Sequence, residues 1–344
     1  MMPVLEAVPN FSEGRDPEFL REVTTEMERE GVEVLDASAD RDHHRSVVTL
    51  VGAPEQVEAA LVASARVAIE RIDLRRHRGV HPRIGAIDVA PLVPLVRTPM
   101  ETAVASARRV ADGIAALGVP VYLYGRASSE NASLPALRRG GFEALRDGFP
   151  EGRKPCLSAG RRAAHPTAGA TCVGARPLLL AWNLVVEGVS RSALASLARE
   201  LRESDGGIPG VRALALHLEE SGLAQLSMNL EDADTRDPDV VFEAAEAGVR
   251  SRGGRVVATE VIGMIPDTLV LRTSARRLRL LDAHPGRLLS ARLAGHLARR
   301  GASDLEALVS WVRTCGSAVP DHVRRAAERL ALPSTITPIP GDPA

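Results

Sequence analysis

The sequence is almost without lysine: Lys154 is the only one in 344 residues, so arginine carries nearly all of the positive charge. Any site for an anion must therefore use guanidinium groups, which bind carboxylates through two parallel donors. The formal net charge is −1 and the pI is near 6.8, which leaves no overall field to attract nucleic acid or an anionic membrane surface. We expect neither as a partner.

Cysteine and long apolar runs are scarce as well. Cys156, Cys172 and Cys315 include no CxxC pair, so the sequence indicates neither a zinc site nor a disulfide framework. No apolar stretch approaches the roughly 20 residues that span a bilayer. Residues 1–6 lack the basic and then apolar pattern of a secretory signal. We therefore expect a cytoplasmic protein.

Aromatic residues make up only 3% of the chain, so its core must be built from Leu, Val, Ile and Ala. The hydrophobic fraction of 45% is enough for such a core, and 344 residues allow two modest domains or one large one. With 25% charged residues, the composition is that of an ordinary folded protein.

Hydrophobic periodicity and chain breakers predict the same order of elements twice: strand, helix, strand, strand, helix, strand. The first copy is predicted at residues 4–8, 16–29, 32–36, 46–51, 54–73 and 84–93, followed by a helix at 100–117 and a strand at 121–124. The second copy is predicted at residues 179–186, 190–203, 211–219, 224–231, 238–252 and 256–262. We therefore predict an α+β fold with two ferredoxin-like (βαββαβ) halves.

The predicted domain limits follow from this order. An N-terminal half is assigned to residues 1–177 and a C-terminal half to residues 178–270. Residues 271–344 are predicted to form a helical extension with a Pro-rich end, with helices at 288–300, 304–315 and 321–330. Between the halves, residues 140–175 are dense in Gly, Pro, Arg and Ala and have little periodicity. A loop of that length is uncommon in a compact domain unless it binds something.

The segment HRGVHPRIG (residues 77–85) carries the first candidate site. Two histidines four apart on a helix could share a metal ion, but Gly79 and Pro82 favour a loop and no third ligand is near in sequence. In a loop at a sheet edge, His81 would project and suit proton transfer near neutral pH, because an unperturbed imidazole has a pKa of about 6.5. From spacing alone, a structural or merely exposed His81 is the alternative.

The cluster DASADRDHHR (residues 36–45) is a second candidate. Its letters Asp42-His43-His44 also occur in the DHH phosphoesterases, which bind manganese. That group needs further Asp and His motifs near the N-terminus, and residues 4–37 contain no histidine. A solvated turn is therefore the simpler interpretation.

Two loops are candidates for anion binding. VPNFSEGRD (residues 8–16) offers helix-start amides and Arg15, although it is also compatible with an ordinary capped helix start. Residues 160–176 place Arg161, Arg162, His165 and Arg176 among glycines and alanines, as in an anion-binding flap or a plain surface loop.

Taken together, these segments resemble the formiminotransferase family. The matching stretches are VPNFSEGRD (8–16), DHHRSVVTLVG (42–52), HRGVHPRIGAIDVAPLVP (77–94), VPVYLYG (119–125), HPTAGATCVGARPLLLAWN (165–183), AQLSMNL (224–230) and EVIGMIP (260–266). They occur in the family's order across residues 3–270. Seven stretches in register identify the chain as a member of the family.

The resemblance implies transfer of a formimino group from N-formimino-L-glutamate to N5 of tetrahydrofolate, a step of histidine breakdown. It implies two ferredoxin-like halves with a folate tunnel between them, tetrahydrofolate as co-substrate, no metal and a homodimer. The family's catalytic histidine falls on His81. Its folate-contacting loop falls on Gly160, Arg161, Arg162, Ala163, Ala164, His165, Pro166, Thr167, Ala168 and Gly169. The residues after Pro266 are too few for the cyclodeaminase domain of bifunctional relatives, so a monofunctional enzyme is expected.

In that reaction N5 loses a proton as it attacks the formimino carbon, and the glutamate amine gains one as it leaves. One imidazole can perform both transfers in turn. Because guanidinium binds carboxylate through two donors, the candidates for the substrate carboxylates are the arginines Arg15, Arg45, Arg83 and Arg176.

Several positions depart from the family's pattern. The second acid expected two residues after Asp36 is Ser38 here, the position before Arg45, commonly Asn, is His44, and the Phe-Gly-Pro of the folate loop is replaced by residues 159–161. These departures leave two alternatives to formimino transfer. One is a glutamate formyltransferase or another relative that uses 5-formyltetrahydrofolate, and the other is a catalytically silent folate-binding protein.

Overall fold

The computed structural model describes residues 3–95, 98–218, 223–231 and 238–264, and the predicted helical extension at 271–344 lies outside them. In the described ranges the chain is a mixed α+β structure with two sheets, one of seven strands and one of four. No helix in these ranges is both long and apolar enough to cross a membrane.

The first sheet is built around an interrupted N-terminal strand, β1 (Val4–Ala7) and β2 (Asn10–Phe11). This strand lies between β4 (Arg45–Gly52) and β5 (Ile87–Leu95) and is antiparallel to both. The outer side of β4 pairs with β3 (Glu33–Asp40), also antiparallel. Two helices, α1 (Pro17–Arg29) and α2 (Pro54–Arg71), connect these strands.

The sheet then continues with parallel strands. Helix α3 (Met100–Ala116) leads to β6 (Val121–Gly125), and after a short helix α4 (Leu134–Leu137) the chain returns as β7 (Thr171–Ala175). Strand β7 lies between β5 and β6 and is parallel to both. The prediction of a loop over residues 140–175 was wrong for these last five residues. All five are buried, and a short strand buried on both faces shows no alternation of polar and apolar residues.

The second sheet contains β8 (Leu179–Glu187), β9 (Val211–His217), β10 (Ala224–Glu231) and β11 (Arg255–Ile262). Its strand order is β11-β8-β10-β9 and all three pairs are antiparallel. Helices α5 (Arg191–Leu201) and α6 (Pro238–Ser251) provide the crossovers. The observed element order here is the predicted strand, helix, strand, strand, helix, strand.

The helix starts follow from the local sequence. Asp16 precedes α1 and its carboxylate accepts a hydrogen bond from the amide of Glu18, and the Ser190 hydroxyl does the same for Ala193 at α5. Such caps satisfy amides that lack a partner within the helix. Pro17 and Pro54 occupy first-turn positions, where the missing N–H costs nothing.

Each sheet has its own apolar core. The core of the first sheet joins Leu5, Phe11 and Leu50 to the helices packed on it, and that of the second sheet centres on Trp182, which stacks on Phe242 at a ring-centroid distance of 6.0 Å. A smaller cluster of Leu35, Val51 and Met264 lies on the other face of β3 and β4. Met264 follows β11, so the end of the second sheet's last strand packs against the first sheet.

Truncation of the large aromatic side chain in the second core should destabilise the protein strongly. We expect Trp182→Ala to lower the free energy of unfolding by about 3–5 kcal/mol, because a fully buried ring would be replaced by a cavity. The control is Leu214→Ala on β9, a partly exposed leucine in the same sheet, which should cost less than about 1 kcal/mol. Urea denaturation followed by circular dichroism measures both; equal losses would contradict this packing.

Candidate active site

The loop at residues 8–16 and the loop at residues 77–85, called the His81 loop below, both pack against the turn between β3 and β4. A Cβ on Gly14 would collide with the Asp40 carbonyl oxygen, and a Cβ on Gly79 would collide with the carbonyl oxygen of His43. The turn itself ends at His44, whose φ of 49° lies in the left-handed region. Histidine and asparagine both enter that region more readily than most residues, so the backbone accepts the histidine found where the family resemblance implies asparagine.

His81 lies where these loops meet. Its Nδ1 is 2.8 Å from the carbonyl oxygen of Pro82, so this nitrogen carries the proton in the neutral ring and Nε2 has the free lone pair. One terminal nitrogen of Arg45 contacts both ring nitrogens, at 2.7 Å from Nδ1 and closer to Nε2. The other terminal nitrogen donates to the side-chain oxygen of Asn10 on β2. The guanidinium of Arg45 therefore covers the lone pair of the imidazole.

The surroundings keep His81 neutral. Burial lowers the pKa of this imidazole well below its usual value, and the positive charges of Arg45 and Arg138 act in the same direction. Burial also lowers the pKa of Arg45 to about 9, with help from the charge of Arg138 and against the carboxylate of Asp88. Arg45 nevertheless remains protonated at neutral pH. The site thus presents one neutral ring beside two cations.

A buried ion pair supports the loop that carries His81. Asp88, in β5, accepts a 2.8 Å hydrogen bond from the amide of Ile84 and a longer one from Gly85, and it forms an ion pair with Arg138. Removing either partner of a buried pair leaves the other charge uncompensated. The His81 loop therefore depends on both Asp88 and Arg138.

The other three histidines of the two motifs lie around the same turn. His44 stacks on His77 with ring centroids 4.4 Å apart, and its Nε2 is 3.3 Å from Glu13. His77 is buried and its Nε2 lies 2.8 Å from the carbonyl oxygen of His44, and burial lowers its pKa to about 4. His43 faces the other way, with its ring 6.1 Å from that of His81.

The histidines of residues 36–45 and 77–85 lie close together, as metal ligands would have to. Within the ranges that the structure describes, no three side chains of His, Cys, Asp or Glu gather in a way that could hold a metal ion. His77 and His81 make separate contacts, with His44 and with Arg45, rather than facing a common point.

The predicted folate loop is divided between two places. Residues 165–169 lie against the His81 loop: Ala86 donates to the carbonyl of Ala168 at 2.8 Å, and Ala170 donates to the carbonyl of Ile84 at 2.8 Å. Arg161 lies elsewhere, since its Nε donates to the carbonyl of Gly118 just beyond α3. The guanidinium of Arg161 therefore binds the chain just after α3 rather than the His81 loop.

The four arginines predicted to bind carboxylates are in different environments, and only Arg45 contacts His81. Arg15 donates to the backbone carbonyls of Arg41 and Arg78. Arg83 forms an ion pair with Glu143 at 2.8 Å. Arg176 follows β7 and donates to the carbonyl of Pro177 at 2.9 Å.

Sequence reasoning did not select Asn10, Asp88 or Arg138. A usable signal existed for Asp88, because it is the only charged residue in the apolar run at 84–93, and a buried carboxylate requires a partner. Arg138 gave no comparable signal, since nothing in the sequence places it opposite Asp88.

A neutral imidazole in contact with one guanidinium and near a second, carried on a mixed α+β fold, is chemically suited to proton transfer beside an anion. Comparison with known proteins is consistent with this class. Residues 4–176 match the family described as the formiminotransferase domain, N-terminal subdomain, and residues 181–279 match the formiminotransferase domain.

Individual relatives are similar over most of the chain. A glutamate formimidoyltransferase of Streptococcus pyogenes is 34% identical over 82% of this chain and 95% of its own length, and one of Thermoplasma acidophilum is 33% identical over 85% and 98%. A formimidoyltransferase-cyclodeaminase of Sus scrofa is 37% identical over 85% of this chain, which spans 57% of that longer protein. The chain belongs to the formiminotransferase family.

The Glu13 carboxylate should contribute to stability only above its unfolded-state pKa. Burial raises its pKa, but hydrogen bonds from His44 and from the amides of Arg15 and Asp16 outweigh burial and lower it from 4.5 to about 2. Because the folded-state value is the lower one, this stabilisation, at most about 3 kcal/mol, is present above pH 4.5 and is lost as the pH falls from 4.5 toward 2.

We therefore expect Glu13→Gln to be less stable than the parent at pH 7 and to approach it at pH 3. The free energy of unfolding from urea titrations between pH 3 and 7 measures this. Glu22→Gln, which removes an exposed carboxylate paired with Arg71 on the same side of the molecule, should show little effect. A constant difference across the pH range for Glu13→Gln would refute the assignment.

Proposed function

We propose that this chain transfers a formimino group from N-formimino-L-glutamate to N5 of tetrahydrofolate, giving 5-formiminotetrahydrofolate and L-glutamate. The observation that carries the proposal is the neutral His81 ring beside Arg45 and Arg138, in a chain whose similarity to two glutamate formimidoyltransferases extends over nearly their whole length. The reaction moves protons between nitrogens and involves two substrates that carry carboxylates, and these residue types serve both needs.

His81 is the catalytic base of this proposal. Its neutral form at pH 7 has a lone pair on Nε2 that can accept the proton of N5 as the new bond forms. The Nδ1–H is directed to the Pro82 carbonyl, which fixes the tautomer and the ring orientation. The Asp88–Arg138 pair holds the backbone just after His81.

Arg45 links substrate binding to the basicity of His81. In the free enzyme its guanidinium donates to the ring and lowers the pKa of the imidazole. A substrate carboxylate that attracts Arg45 would remove both effects, so the lone pair would become available and the pKa would rise toward the working pH. The Nε of Arg45 is buried and has no hydrogen-bond partner among the described residues, which fits an incoming carboxylate.

The remaining arginines and the folate loop complete the proposed substrate site. Residues 165–169 are bonded to the His81 loop, which supports a role of this part of the predicted folate loop, residues 160–169, near the reacting atoms. Arg15, Arg83 and Arg176 stay candidates for the other carboxylates. Arg83 would first have to leave Glu143.

We also propose the ferredoxin-like description for both halves, at residues 1–177 and 178–270, with a homodimer as the assembled form. The strand order β11-β8-β10-β9 supports it for the second half. The arrangement of β3, β4, the interrupted β1/β2 strand and β5 supports it for the first half, with β6 and β7 as an addition.

Loss of the imidazole should nearly abolish transfer. We expect His81→Gln to lower kcat by about 10²–10⁴-fold, the usual contribution of a general acid–base group, while the thermal midpoint stays near that of the parent. Formation of 5-formiminotetrahydrofolate from the two purified substrates is the measurement, and His217→Gln on β9 is the control. Activity of His81→Gln within a few-fold of the parent would exclude the role of His81, and a parent that uses only formyl donors would reassign the reaction.

The effect of Arg45 on His81 can be measured directly. We expect the pKa of His81 in Arg45→Gln to lie above that of the parent, because a positive charge and a donor to the ring are removed. Saturating L-glutamate should raise it in the parent and not in the variant. The measurement is an NMR titration of the imidazole signals; identical titration curves for both proteins would contradict the coupling.

A further inference from the structure

His43 and Asp40 form a second imidazole–carboxylate arrangement beside His81. Asp40 accepts two hydrogen bonds of 2.8 Å, one from the amide of His43 and one from its Nδ1. Nδ1 therefore carries the proton and the ring is fixed by the carboxylate, the orientation device of many acid–base histidines. Burial raises the pKa of Asp40, but the hydrogen bonds from His43 outweigh it and lower the value, so the carboxylate is ionised at neutral pH.

The ring of His43 is a direct neighbour of the ring of His81. The side chain is 8% exposed, and Asp40 engages its Nδ1, which leaves Nε2 as the ring nitrogen that this carboxylate does not contact. The ring centroid lies 6.1 Å from that of His81 and the planes are inclined by 55°. At this distance the two rings are direct neighbours, so one small substrate group that approaches their shared edge can contact both.

The surroundings of the two rings differ in charge. His81 faces the cations Arg45 and Arg138, whereas His43 is held by the anion Asp40. Pairs of titratable groups in opposite environments commonly divide the acid and base roles of a reaction. His44, His77 and Glu13 contact one another on the far side of the turn and take no part in this pair.

We propose that His43, oriented by Asp40, is a second catalytic residue of the transfer and acts as the general acid, while His81 acts as the base. The inference rests on the proposed function and assigns its leaving-group step. His81 accepts the proton of N5 as the bond from N5 to the formimino carbon forms. The Nε2–H of protonated His43 passes to the glutamate nitrogen as its bond to that carbon breaks. One proton is taken up and one is delivered, and a proton returns from His81 to His43 through water before the next turnover.

The test compares His43→Gln with His44→Asn in transfer from N-formimino-L-glutamate to tetrahydrofolate between pH 6 and 9. Gln can still donate to Asp40 but cannot deliver a proton, so we expect a fall in kcat of about 10²-fold or more with KM values changed less than about threefold. The dependence of kcat on pH should differ from that of the parent, because a proton donor has been removed. His44→Asn, which suits the left-handed backbone, should stay within about threefold of the parent in kcat.

Chemical rescue separates a catalytic from a structural role. In His43→Gly, added imidazole should recover at least about tenfold of the lost rate, because it can replace the missing acid. A His43→Gln variant within threefold of the parent overturns the inference alone, as does a loss of activity with an unchanged pH profile and no rescue by imidazole. A parent without any transfer from formiminoglutamate overturns the proposed function as well.

Discussion

The contact between the guanidinium of Arg45 and the ring of His81 is the constraint on which the site depends. Burial is the larger cause of the low pKa of His81 and the adjacent cation lowers that pKa further, so the ring is neutral. Asn10 accepts a hydrogen bond from the other terminal nitrogen of Arg45 and so holds the guanidinium. The ion pair of Asp88 and Arg138 holds the loop that carries His81. A basic group in this state is protected until a carboxylate competes for the same guanidinium.

Much of the fold could be predicted from the sequence because its helices and the strands of the antiparallel second sheet have regular patterns. The observed bounds of α3, Met100–Ala116, and β10, Ala224–Glu231, differ from the predicted 100–117 and 224–231 by one residue or none. The first strand was predicted to end at residue 8, before a loop at residues 8–16. That the chain resumes pairing after Pro9 as β2 was not predicted, because two residues are too few to show a strand pattern. Strand β7 was missed because a fully buried parallel strand has no period of two.

The candidate site could be predicted in its parts but not in its connections. The loops with His81 and His43 were selected from their residue types, and Arg45 was one of four arginines chosen on chemical grounds alone. That Arg45 touches His81, and that Arg161 instead reaches the end of α3 at Gly118, depends on how distant segments meet. Charge partners such as Asp88 and Arg138, 50 positions apart, come together only in the folded chain.

The close approach of backbones at Gly14 and Gly79 limits which residues these two positions accept. At these two positions a side chain would collide with the turn that carries His43, so the packing of both loops on the turn requires glycine. Elsewhere around the turn a change of side chain meets no such collision, apart from His44, whose left-handed backbone suits few residues. Tolerance to substitution in this part of the chain therefore depends on the space at two glycines more than on the polarity of the residues around them.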